Sequence, residues 1–246
     1  MARHYTRLRS NDPLVLQLVN EVFDCSHRFY CFDAIDDLRR IYLQDRSPLK
    51  ASDFSNDGSE VRTTTVARVA GQSAIGSKHG ELLSRLVNFS KPDTILELGT
   101  SLGISTLYLS MPRQSARVYT LDGNGDHQRV ATKSFKNLQL HNITPFCGLF
   151  ECELPKVLNQ IERVDFVFID GHHQYEPTLM YFEQCLARST DDTVFAFHDI
   201  HWSEGMVRAW QQICQHPRVS LTIDLFHLGL VFLYKTEKRQ HYVVRF

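Results

Sequence analysis

Long apolar runs are missing from this 246-residue chain. The stretch from Leu98 to Pro112 has no formal charge, but it contains glycine, serine, threonine and proline. It is too short and too polar to span a bilayer. Glycine and proline are scarce, at 12 and 8 residues, which excludes collagen-like and linker-type chains. Neither sign of charge dominates: 27 Lys and Arg face 28 Asp and Glu, a net −1. A nucleic-acid binder would carry a basic footprint, and none is written here. The six cysteines, from Cys25 to Cys214, form no C-x-x-C pair and no zinc-finger spacing. A chain this long can build its core without disulfides, so reduced cysteines and a cytoplasmic location are expected. The opening segment MARHYTRLRSNDP has arginines but no apolar run after them, so no signal peptide is expected.

What is present is ordinary globular material. Hydrophobic residues make up 43% and charged residues 22%. That is enough apolar mass to offset chain entropy, which excludes a disordered chain. The length allows one large or two small domains. The unusual number is twelve histidines.

The first 60 residues read as a polar, helical cap, with residues 61–246 as the main domain. Asn11 or Asp12 can cap a helix that has Pro13 in its first turn. Leu14, Val15, Leu18, Val19 and Val22 follow at helical spacing. A second helix is predicted over Ala34 to Leu43. The segment Ser52–Gly58 reads as a loop, Val61–Ala70 is ambiguous, and Ser77 caps a further helix. From Thr94 the pattern changes. Apolar β-rich runs (Thr94–Leu98, Val118–Leu121, Ile143–Cys147, Val164–Ile169 and Thr193–Phe197) alternate with helical stretches. This predicts an α/β fold, a doubly wound, mostly parallel sheet. Leu221–Phe226, Leu230–Tyr234 and His241–Phe246 lack intervening helices and predict an antiparallel C-terminal edge.

The segment ILELGTSLGIST, residues 95–106, is the most informative. A buried strand is followed by G-x-x-x-G and a helix start. Gly99 and Gly103 let the backbone pass close to a ligand that a Cβ would block. The amides that follow favour an anionic group such as a carboxylate. Ser101 stands where a dinucleotide fingerprint needs its middle glycine, which disfavours a nicotinamide oxidoreductase. Asp122 ends the next strand, where a carboxylate can accept both hydroxyls of a ribose.

These residues resemble the first motif of class I S-adenosylmethionine-dependent methyltransferases. The resemblance covers about Val61 to Phe246 and implies a seven-stranded Rossmann-like sheet. It also implies S-adenosyl-L-methionine as cofactor, held by Glu97, Gly99, Thr100, Gly103 and Ser105 around its methionine part. Asp122 would take the ribose, Phe150 the adenine, and Asp170 would share in the cofactor contacts.

Two further motifs end later strands: IDGHHQYE, residues 169–176, and FHDIHW, residues 197–202. In a parallel sheet the strand carboxyl ends face one crevice, where ligands bind. Asp170, His172, His173, His198, Asp199 and His201 are expected to converge there. Carboxylates suit a hard cation such as Mg²⁺, and imidazoles shift the preference toward Mn²⁺, Fe²⁺ or Zn²⁺. A neutral histidine can also remove a proton. Asp-Gly-x-His followed by an acid after the fifth strand resembles metal-dependent O-methyltransferases of the catechol and sugar-tailoring type. That resemblance implies a small-molecule hydroxyl acceptor, His173 as general base, and a divalent cation (Mg or Mn) at Asp170 and Asp199; His201, two residues on, is read as a further ligand. His198 departs from it, because an acidic or Asp-Asn pair is common at that corner. The cap is implied to supply substrate contacts and a homodimer interface. Two other readings stay open. One is a metal-independent N- or C-methyltransferase using His173 and His198 as acid and base. The other is a non-catalytic cofactor-binding sensor or interaction module.

Overall fold

In the computed structural model the described residues are 10–25, 28–52, 61–235 and 238–246. Expectations for residues 1–9 and for most of the Ser52–Gly58 loop lie outside them. Asp12, not Asn11, caps the first helix: its side chain accepts from the amides of Leu14 and Val15. That helix, α1 (Pro13–Leu18), continues as a wider π turn over Val19–Phe23. The second, α2, spans Cys31–Gln44, starting three residues before the expected Ala34. The ambiguous segment is both things in turn. Strand β2 (Val61–Thr65) pairs antiparallel with β1 (Pro48–Ser52), and α3 (Val66–Ser73) starts from the side-chain cap of Thr65. Helix α4 covers Ser77–Ser90, with Gly76 at the cap position and Ser77 already helical.

The main sheet starts at β3 (Thr94–Leu98). Helix α5 (Ile104–Ser110) follows, then β4 (Arg117–Asp122), α6 (Gly125–Asn137), β5 (Ile143–Cys147) and α7 (Phe150–Gln160). The second half runs through β6 (Val164–Ile169), α8 (Tyr175–Leu186), β7 (Ser189–His198) and α9 (Glu204–Gln215). It ends with β8 (Leu221–Asp224), β9 (Leu228–Phe232) and β10 (Gln240–Val243). The strand order is β10-β8-β9-β7-β6-β3-β4-β5. The expected class is correct, with eight strands instead of seven. The C-terminal edge differs in detail. Only β9 runs antiparallel, inserted between β7 and β8, while the outermost strand β10 is parallel to β8. The short turn after β8 forces the reversal into β9, but β10 begins at the same end of the sheet as β8, where Gln240 N donates to Ser220 O.

The near-unbroken apolar strands are explained by burial on both faces. Side chains alternate across a strand. Phe166 and Phe168 of β6 thus join one core with Val194 and Ala196 of β7, while Val167 and Ile169 join the other with Phe195 and Phe197. The first core also takes Val15, Leu18, Val22, Phe32 and Ile35, so α1 and α2 pack into the same apolar mass as the sheet. No helix among the described residues is long and apolar enough to cross a membrane.

Candidate active site

All the parallel strands deliver their carboxyl ends to one edge, and a cleft of about 790 Å³ opens there. The turn after β3 forms its floor. Gly99 has φ +108°, and a Cβ on it would lie 2.1 Å from the carbonyl oxygen of Asp170. Gly103 has φ +86°, and a Cβ there would press within 2.7 Å of the Phe135 ring. Only glycine meets both demands. The predicted glycine pair is therefore required by backbone conformation and by packing, Gly99 against the Asp170 backbone and Gly103 against Phe135 of α6.

Asp122, at the end of β4, turns both carboxylate oxygens onto this floor. Oδ2 accepts from the Ser101 amide at 2.6 Å and Oδ1 from the Asn124 amide at 2.7 Å. Burial pushes its pKa up, opposed by those two amides and by nearby His127. Each oxygen keeps a free lone pair for a ligand hydroxyl. Thr100, Ser105 and Phe150 also line the cleft. Glu97 does not. It is fully buried beneath the floor, where Oε2 accepts from the hydroxyls of Thr106 and Thr120, at 2.5 and 2.6 Å. Burial raises its pKa to about 7, against the hydroxyls of Ser105, Thr106 and Thr120, which favour the charge. Its place is that of a brace between β3, β4 and α5.

The far wall carries the strand-end cluster. His198 Nδ1 lies 3.0 Å from Asp170 Oδ1 and 3.4 Å from Asp199 Oδ2. It bridges the two acids without aligning on either as a hydrogen bond. Burial opposes protonation of His198, but the two carboxylates override it and raise its pKa to about 10. Asp199 is held below the ordinary carboxylate range, because His198, His173 and His227 outweigh its own burial. His173 Nε2 stands 3.6 Å from Asp170 Oδ1, and at 29% its side chain is the more exposed of the two histidines, against 17% for His198. His172, His173 and Asp199 all have positive φ, at 64°, 45° and 55°. Non-glycine residues in this conformation cost about 1–3 kcal/mol each, and such strain gathers at functional sites.

Two expected members are drawn elsewhere. His201 Nε2 sits 2.8 Å from Asp224 Oδ2 and its ring stacks on Phe226, so it does not line the cleft. His172 lines the cleft, but its Nδ1 pairs with the Tyr181 hydroxyl, which donates to Glu151. No group of three His, Cys, Asp or Glu side chains able to hold a metal is assembled among the described residues. The set Asp170, Asp199 and His201 does not fit a divalent cation in this arrangement. His198 stands between the first two, and the third is committed to Asp224.

Three contributors escaped sequence reasoning. The segment Gln72–Gly76, after α3, lines the cleft and carries no chemical signature. His127 also lines it, with Nε2 buried and unpartnered. Its signal was the Asn124 cap, which accepts from the amides of Asp126 and His127 and so places His127 in the first turn of α6 beside Asp122. His79 and His227 form an outer ring, their centroids 5.7 Å apart. None of the described residues 10–52 lines the cleft, so those that are described do not cover it. Lys78 is not turned to the cleft either; its ammonium lies over the Phe246 ring at 4.6 Å.

Residues 96–200 match a family model described as a methyltransferase domain. That match takes in somewhat less than half of the chain. That span holds the glycine turn, Asp122, the first strand-end motif and the second as far as Ile200. Among curated relatives, bovine (Bos taurus) catechol O-methyltransferase is 26% identical over 117 residues, 45% of this chain and 43% of that protein. A putative O-methyltransferase of Mycobacterium sp. (strain JLS) is 32% identical over 111 residues, 44% of this chain and 49% of that one. The match thus spans about half the length of these relatives. The crystal structure of the O-methyltransferase from Bacillus cereus in complex with SAH superposes with a TM-score of 0.61. It is 21% identical and covers 89% of this chain and 97% of that chain. The chain therefore shares its fold with that structure.

Proposed function

We propose that the chain transfers a methyl group from S-adenosyl-L-methionine to a hydroxyl of a small molecule. The observation that carries this reading is the cleft floor: a glycine turn packed on Asp170, with Asp122 presenting both oxygens beside it. S-adenosyl-L-methionine fits that floor, because a ribose diol matches the free lone pairs of Asp122 and Phe150 offers an apolar face. His127 lines the same region. When bound, the cofactor supplies an activated methyl on a sulfonium.

The chain's own work is alignment and proton removal. The acceptor oxygen gains the methyl as the sulfur–methyl bond breaks, and the hydroxyl proton passes to the imidazole of His173. Asp170, 3.6 Å away, stabilises the imidazolium that results. His173 suits the base role better than His198 because it is more exposed to the cleft, whereas the Nδ1 of His198 is enclosed by two acids. Trp202, 74% exposed, and Leu149 both line the cleft and favour an acceptor with an apolar or aromatic body. No step is assigned to a metal.

Calorimetric titration tests the cofactor. One equivalent of S-adenosyl-L-methionine is expected to bind, and Asp122→Ala to weaken it by about tenfold or more, the loss of a charge-assisted hydrogen bond of ~1.5–3 kcal/mol. Binding of a nicotinamide dinucleotide in its place would overturn the reading. Transfer of labelled methyl to a panel of small hydroxyl compounds then identifies the acceptor.

A further inference from the structure

Two carboxylates, Asp170 and Asp199, meet at the reacting end of the cleft. Acids this close need something positive or hydrogen-bonding between them. A hard cation is one solution, held by such oxygens at about 2.0–2.6 Å. Here the gap already has an occupant from the chain itself. The His198 ring nitrogen lies within 3.4 Å of one oxygen of each acid. A cation bound to those same two oxygens would collide with that N–H. The ring is also held by two neighbouring rings. Phe168 and His79 each meet it edge-on, at 6.4 Å between centroids. The backbone supports the placement, with Asp199 N donating to His227 O at 2.7 Å to hold the positive-φ turn that sets both residues. The histidine expected to ligate, His201, is turned to Asp224.

We infer that His198 is a positioning residue that takes the place of a divalent cation between Asp170 and Asp199, so that this chain orients its acceptor without metal. The inference rests on the methyl-transfer reading of the cleft. It makes His198 the determinant of metal independence. Replacing it by aspartate removes the wedge and adds a third carboxylate, an oxygen-rich set suited to a hard cation.

Mn²⁺ titrated into the full chain at saturating S-adenosyl-L-methionine, followed by the electron paramagnetic resonance signal of the free ion, is the test. The unaltered chain is expected to leave the ion free. The His198→Asp variant is expected to take up one ion about tenfold or more tightly than the unaltered chain. His198→Asn, which opens the gap without adding charge, should fall between the two, so the comparison survives if one variant folds poorly. Thermal melting confirms the fold of each. Saturable uptake by the unaltered chain that is lost in Asp170→Asn would overturn the inference, as would the absence of any gain in a folded His198→Asp. Methyl transfer by the unaltered chain is expected to persist after exhaustive chelation, and its loss would also refute the proposal. Failure of the cofactor reading shows separately, as no heat of S-adenosyl-L-methionine binding, and the same Mn²⁺ comparison run without the cofactor still tests the His198 wedge.

Discussion

Glu97 is a carboxyl removed from water, and its protonation is tied to folding. Its pKa rises from 4.5 to about 7 on burial. The folded state therefore binds the proton more tightly than the unfolded chain does. The stabilisation is complete below pH 4.5 and is lost as pH rises through 7, with a total on the order of 3 kcal/mol. Glu97→Gln, which can still accept from Thr106 and Thr120, should flatten the decline between pH 5 and 7. Urea midpoints across that range check it, and an unchanged slope would show that Glu97 is not its source. His173 makes a second residue-scale test. His173→Ala should lower turnover by about 100-fold or more while calorimetric cofactor affinity stays constant, and full activity would refute its role as base. These two residues also show what a sequence can and cannot disclose. Both were read as parts of one site, yet Glu97 turned inward and His173 outward. Strand alternation sets the first direction, but the second depends on two consecutive positive-φ residues that no periodicity announces.

Secondary elements were more legible than side-chain directions. Thr94–Leu98, Ile143–Cys147 and Val164–Ile169 are strands over the expected residues, because runs buried on both faces have sharp apolar limits. The segment Val61–Ala70 stayed ambiguous for a physical reason. Its threonines serve a strand first, and then the last of them, Thr65, caps a helix. His201 was misjudged for a different one. Its position after β7 was correct, but Asp224 comes from β8, a partner that only the three-dimensional register supplies. Caps also carry a prediction at this scale. Ser203 accepts from the Met206 amide at the start of α9, and it borders the cleft beside Trp202. Ser203→Ala should cost about 1 kcal/mol in urea unfolding. Trp202→Ala should leave stability nearly unchanged and raise the acceptor KM.

Residues 10–52 and the sheet share one core across the boundary drawn at residue 60, with Val15, Leu18 and Phe32 in the same apolar cluster as Phe166 and Phe168. We therefore expect a single cooperative urea transition, with tryptophan fluorescence from Trp202 and Trp210 coinciding with far-UV circular dichroism. Separate midpoints would instead mark the cap as an independent unit. The strand order has another consequence, which concerns the making of the molecule. The turn at Gly99 and the carboxylate of Asp122 belong to strands on one side of β6, and the histidine wall belongs to β6 and β7. A growing chain completes the first half well before Asp170 exists to lie against Gly99. Ligand affinity should thus be the last property a refolding chain recovers, because it waits for the slow, long-range insertion of a central strand. During that interval the half-built floor is an unpaired sheet edge, and the nascent chain is most exposed to aggregation there.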